Sequence, residues 1–144
     1  MFCNFTSSTF YQGVNLVGTS KIQKNTIYNE LLSAEVNSVS IVPFAYGNTS
    51  SGELKIRTSW QWWGEGIEGS KELARMAKEK GLKVMLKPQI WFDGGTYTGD
   101  VNLDSEEKWK RFENSYQEYI LIHAKNASDL GLDIFCIGTE LKEF

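Results

Sequence analysis

Apolar runs with strand character alternate along this chain with longer stretches whose apolar residues recur at helical spacing. Gly13-Val14-Asn15-Leu16-Val17, closed by Gly18, reads as a first strand, and Val36 to Phe44, rich in Val and Ile, as a second, with a helix over Asn25 to Ser33 between them. Gly47 to Gly52 is turn chemistry. A second helix runs from about Ile67 to Lys80, with Leu73, Ala74 and Ala77 on one face and Gly81 to end it. Leu82 to Trp91 is a third strand. Asp104 with Glu107 forms a capping box that opens a long helix striped by Trp109, Phe112, Tyr116, Tyr119, Ile120 and Ala127, and ended near Gly131. Leu132 to Thr139 is a fourth strand. Such alternation calls for a mostly parallel sheet covered by helices.

Parity along the strands narrows the architecture. If Glu140 points inward, so do Cys136 and Gly138, while Phe135 and Ile137 face the helices. The same rule sets Val84, Leu86 and Pro88 outward and Lys83, Met85, Lys87 and Gln89 inward. It sets Val39 and Ile41 outward against Ser38 and Ser40, and Val14 and Leu16 outward against Asn15. A doubly wound sheet buries both faces under helices and favours continuous apolar strands. Here one face is apolar and the other partly polar, and polar groups on one consistent face suit the interior of a (β/α)₈ TIM barrel. Four strands are half of eight, and a whole barrel typically needs about 250 residues. The expected fold is therefore α/β, a half-barrel supplying strands one to four, with residues 1–12 a disordered N-terminal segment and 13–144 the N-terminal half of the barrel. The alternative is a complete small domain whose last strand is an edge.

A net charge of −3 without a basic run argues against nucleic acid, which needs clustered Lys and Arg. No apolar run approaches the roughly 20 residues of a membrane span. Cys136 reads as a small buried hydrophobe, and a disulfide with Cys3 is not expected. Met1-Phe2-Cys3-Asn4 followed by Thr6-Ser7-Ser8-Thr9 has the form of a lipoprotein start, which would set the chain at a bacterial cell surface; the sequons at Asn4, Asn48 and Asn126 are short enough to arise by chance.

Strand tips are where α/β enzymes carry reactive groups, and Cys136-Ile137-Gly138-Thr139-Glu140-Leu141 ends an apolar strand on a carboxylate. The runs Val39 to Phe44, Lys83 to Trp91 and Phe135 to Leu141 resemble strands two, three and four of the barrel in family 113 of the glycoside hydrolases, a β-mannanase family of clan A. The resemblance covers essentially residues 13–141. It implies retaining hydrolysis of a β-mannan-like oligo- or polysaccharide, with Glu140 as acid/base and a second glutamate, at the end of strand seven and outside this chain, as nucleophile. Where the clan has Asn before the acid/base, this chain has Thr139, as in the family.

Retaining hydrolysis independently demands two carboxyl groups about 5–5.5 Å apart. Glu140 is the one convincing candidate, since Asp93 reads as a turn residue and Asp104 as a helix cap. Lys87 and Gln89, inward at the third strand's tip, are candidate hydrogen-bond partners for sugar hydroxyls. Trp91 continues their parity as a stacking surface, Asn15 is inward on strand one, and Trp62 belongs to the Trp60, Trp62 and Trp63 cluster before the second helix. Lys87 could instead be a Schiff-base nucleophile of a lyase, and the cleft could persist in a non-catalytic carbohydrate-binding barrel. His123 falls on the buried stripe of the long helix, so neither a metal site nor a catalytic triad is supported and no cofactor is expected. Gly13 to Gly18 lacks the Lys-Ser/Thr of a phosphate loop. A half-barrel leaves strand edges open, so self-association is expected.

Overall fold

The computed structural model describes residues 10–142. Met1 to Thr9, with the lipoprotein-like start, Cys3 and the Asn4 sequon, lie outside the described residues. Of the segment expected to be disordered, the last three residues are described, and they are tied down. Asn37 donates from Nδ2 to the Phe10 carbonyl at 2.7 Å and accepts from the Gln12 amide at 2.8 Å.

The elements run β1 (Gly13–Val17), α1 (Thr26–Ser33), β2 (Ser38–Val42), β3 (Phe44–Gly47), β4 (Leu54–Lys55), α2 (Ile67–Glu79), β5 (Lys83–Leu86), β6 (Gln89–Phe92), α3 (Glu106–Asp129) and β7 (Ile134–Phe135). They build two small sheets. The lower is all parallel, in the order β1-β2-β5-β7, and the upper is β4-β3-β6, with β3 parallel to β6 and β4 antiparallel to β3.

The second and third strands are each expected to be continuous; both are interrupted instead. Ile41 pairs with Leu86 and Phe44 with Gln89 at one constant offset, so Pro43 stands opposite Pro88, the only two prolines in the chain. Proline has no N–H to give a ladder, and the sheet divides where the two meet. Alternation survives the break. Val39, Ile41, Val84 and Leu86 pack with Leu73, Ala74 and Ala77 of α2 and Tyr28 of α1 in a lower core, and Ala45, Ile90 and Phe92 with Phe112 and Tyr119 of α3 in an upper one. The opposite face carries Ser38, Ser40, Phe44, Tyr46, Met85, Gln89 and Trp91, and the helices leave it open. Helices on one face of a parallel sheet are what inward and outward parity demanded.

The fourth strand is shorter than the run 132–139. β7 pairs with β5 alone, and β5 ends at Leu86 ahead of Pro88, so after Cys136 donates its amide to the Leu86 carbonyl the ladder has no further partner. Beyond that point alternation lapses, and Ile137, expected against the helices, is 73% exposed. The N-cap of α3 is also one residue later than expected: Ser105, not Asp104, accepts from the Lys108 amide, and Asp104 instead pairs with Lys108 Nζ at 2.8 Å. His123 is buried edge-on against Tyr119, and burial holds its pKa down to about 4, so the ring is neutral at pH 7. Among the described residues no helix is long and apolar enough to cross a membrane.

Asp133, just before β7, fixes that strand against β5. Its carboxylate accepts from the Val84 amide at 2.9 Å, Lys83 Nζ at 2.8 Å and Lys78 Nζ at 3.2 Å. Although burial opposes ionisation, these partners together hold its pKa at about 2. A depressed carboxylate pKa stabilises the fold above the unfolded value and loses that effect as pH falls through the folded one. Asp133→Asn should therefore cost on the order of 1–2 kcal/mol at pH 7, allowing for the solvent reaching the lysines. The difference from the parent chain should shrink between about pH 4 and 2, which urea denaturation at both ends of that window will measure.

Candidate functional site

A cleft of about 430 Å³ opens where β6 ends, lined by Gln89, Trp91, the loop Gly95 to Thr98, Thr139 and Glu140. Glu140 is the only carboxylate among its lining residues. Its carboxylate makes no hydrogen bond or ion pair with another described side chain, and it is exposed. Its φ of 60° lies in the left-handed region that a residue with a Cβ seldom adopts, so the segment that carries it must be held from outside. Three contacts do this. The Tyr116 hydroxyl donates to the Ile137 carbonyl at 2.6 Å, Thr139 Oγ1 donates to the Pro88 carbonyl at 3.3 Å, and Leu141 packs into the upper core. Burial pushes the Tyr116 pKa up to about 12, which keeps the hydroxyl a donor at any ordinary pH. Cys136 is half-buried and its thiol donates to the Gly138 carbonyl at 3.1 Å, so it serves the same turn and not the core.

The facing wall rests on Asp93. Its carboxylate accepts from the Thr49 amide and hydroxyl, each at 2.9 Å, and from Asn48 Nδ2 at 3.0 Å. The Thr49 amide above all holds its pKa below the usual carboxylate range. A residue readable as a plain turn former thus ties the β3–β4 hairpin to the loop after β6. That loop then passes Gly94 and Gly95, both at positive φ, and is fastened again where Thr98 Oγ1 donates to the Ile90 carbonyl at 2.9 Å. Between the two fastenings Tyr97 stands exposed on the cleft. Trp91, 63% exposed, meets the edge of Phe44 with centroids 6.0 Å apart.

Of the residues proposed from sequence, Glu140, Gln89 and Trp91 meet in this cleft. Lys87 has their parity but falls between β5 and β6, outside the cleft lining, and has no ion-pair partner among the described residues. Asn15 lines a different cavity of about 200 Å³ against the open face of the lower sheet, with Ser38, Ser40 and Met85. The one carboxylate there, Asp133, is already engaged by two lysines, whereas Glu140 in the upper cleft has no such partner among the described residues. Trp62 lines a shallow groove with Arg57, Thr58 and Glu68. Phe44 and Tyr46 border the upper site without having been singled out; continuing the strand-two parity past Pro43 would have found both.

The sequence profile of glycoside hydrolase family 113 matches residues 18–144. Among curated protein sequences none matches significantly. Among solved structures, a GH113 β-mannanase from Alicyclobacillus acidocaldarius, AaManA, in complex with ManMIm superposes with a TM-score of 0.78 at 20% identity, over 94% of this chain and 46% of that one. A GH113 β-1,4-mannanase complex gives a TM-score of 0.75 at 23% identity, over 94% of this chain and 47% of the other. This chain thus spans about half the length of the structures it resembles.

The Asp93 fastening makes a local prediction. Asp93→Ala should speed amide hydrogen exchange at Thr49 and through residues 93–98 while leaving β2 and β5 protected, since only the upper loops lose bonds. Exchange measured by mass spectrometry and unchanged in those loops would show the latch to be idle.

Proposed function

The chain belongs to glycoside hydrolase family 113, and from that premise we propose that it carries the acid/base side of a retaining active site acting on a β-mannan-like polysaccharide, in a (β/α)₈ barrel to which it contributes the first four strands. What supports this reading above all is Glu140, the sole carboxylate lining a cleft whose walls also carry the Gln89 amide and the Trp91 and Tyr97 rings. Sugars offer hydroxyls around a ring and flat apolar faces, and Gln89 with Trp91 answers both.

In this reading Glu140, protonated, gives its proton to the glycosidic oxygen as the bond to the anomeric carbon breaks and a second carboxylate takes that carbon. As carboxylate, Glu140 then removes a proton from the water that displaces the enzyme. The second carboxylate is assigned to a residue outside this chain. Lys87 is proposed as a donor to a hydroxyl reaching below Gln89. Asn15 and Trp62, which line other cavities, are given no contact with the sugar that bonds Gln89.

In an enzyme that includes this chain and the strand bearing the nucleophile, Glu140→Gln should reduce hydrolysis of mannan by about 10²–10⁴. An activated aryl leaving group needs less protonation and should soften the loss in the first step, and added azide should restore turnover by attacking the glycosyl intermediate without a base. The 144-residue chain alone should hydrolyse nothing. Near-normal activity of Glu140→Gln, or activity of the chain by itself, would remove the assignment.

Among the described residues β1 pairs only with β2 and β7 only with β5. Unpaired strand edges invite partners, so the isolated chain should self-associate. Sedimentation velocity across a range of concentrations is expected to show species larger than the monomer, and a folded monomer throughout would contradict it.

A further inference from the structure

The turn that carries Glu140 is gripped from two sides by groups that line no part of its cleft. On the helix side, Tyr116 stacks on the buried Phe112 with centroids 5.6 Å apart, which aims its hydroxyl at the Ile137 carbonyl. Gly138 makes room for that hydroxyl: a Cβ there would stand 3.4 Å from it and 2.8 Å from Leu141 Cδ1. On the other side, Gly99 is buried in a single turn of 3₁₀ helix, Thr98–Asp100, and lies against the Glu140 backbone. A Cβ on Gly99 would meet the Glu140 carbonyl oxygen at 3.2 Å and the Tyr97 ring at 2.6 Å.

Gly99 is not at positive φ, so what its position demands is space and not backbone freedom. The two neighbours of that space would answer a side chain differently. The Tyr97 ring is exposed and can swing aside, whereas the Glu140 carbonyl is main chain, and shifting it carries the Glu140 Cα with it. Glu140 stands at φ 60°, a conformation that persists only where its surroundings fix it. Because no other described side chain bonds its carboxylate, the place of that carboxylate depends on the main chain. A reacting group misplaced by about 1 Å can lose on the order of 10² in rate.

We propose that Tyr116 and Gly99 are positioning residues for the acid/base, one fixing the Glu140 turn from α3 and the other from the loop after β6. This rests on the reading of Glu140 as acid/base and deepens it by naming what sets the carboxylate in line with the glycosidic oxygen. Neither residue touches the sugar, since both lie outside the cleft lining. Lys142, which pairs with Asp100 at 3.9 Å, joins the same loop to the same turn just past Glu140.

Kinetics of an enzyme that includes this chain and the strand bearing the nucleophile test the assignment, on mannan and on a β-mannoside with an activated aryl leaving group. Tyr116→Phe, which deletes only the hydroxyl, and Gly99→Ala should each lower kcat on mannan about tenfold, with KM within about twofold. On the aryl substrate, whose leaving group needs little protonation, kcat/KM should change by less than about threefold. A merely structural loss would strike both substrates alike. Asp133→Asn, in the lower sheet, is the control and should alter neither. Gly99→Ala made in a Tyr97→Ala background should keep its loss, because the Glu140 carbonyl and not the ring transmits it. Gly99→Ala carries the test if Tyr116→Phe does not fold. Parental kcat on mannan in both variants, or equal losses on both substrates, while Glu140→Gln still costs about 10²–10⁴, overturns the positioning and leaves the acid/base standing. If Glu140→Gln costs nothing, both fall.

Discussion

Two prolines face each other across adjacent strands, and the Tyr119 hydroxyl bridges the carbonyls of Pro43 and Gln89 at that level. Pro43 cannot return a bond to the partner strand, although the Lys87 amide still reaches the Ile41 carbonyl at 2.9 Å. The Gln89 amide reaches the Pro43 carbonyl at 2.9 Å, and Tyr119, buried in α3, contributes one proton shared between the carbonyls of Pro43 and Gln89 at 3.0 and 3.1 Å. Losing such a buried bond costs about 1–3 kcal/mol when a carbonyl is left without a partner.

The site depends on that junction from both sides. Above it, β3 and β6 present Phe44, Tyr46, Gln89 and Trp91 on one face. Beside it, Thr139 takes the Pro88 carbonyl that no ladder amide claims, and so the break in one strand becomes the anchor for the turn that carries Glu140. The long helix serves three purposes at successive turns. Phe112 and Tyr119 fill the upper core, Tyr116 clamps the turn at Ile137, and Ala127 joins the lower core. A helix binding both sheets makes their relative position a property of the core and not of the loops.

Most of this was legible in the sequence as parity, because a buried face enforces a two-residue period that an exposed one does not. Val39, Ile41, Val84 and Leu86 declared the helix side, and with them the inward set that ends at Trp91. The breaks at Pro43 and Pro88 were hidden in plain view: read as apolar runs the strands looked continuous, yet a proline between paired strands demotes the ladder around it. Tyr46 was missed since the strand was ended at Phe44, where turn chemistry begins three residues later. Asp104 and Ser105 are both good caps, and only backbone geometry chooses between neighbours. In the run Trp60-Gln61-Trp62-Trp63 no local rule says which ring faces which neighbour; Tyr46, fourteen residues back, decides it.

The wall of the cleft opposite Glu140 is fastened at Asp93 and again at Thr98, with Gly94 and Gly95 in open space between them. An arc held at both ends and free of side-chain packing in the middle can bow outward without moving a strand. Trp91, on β6, has no such freedom. One side of the cleft is therefore a fixed gauge and the other a compliant lip.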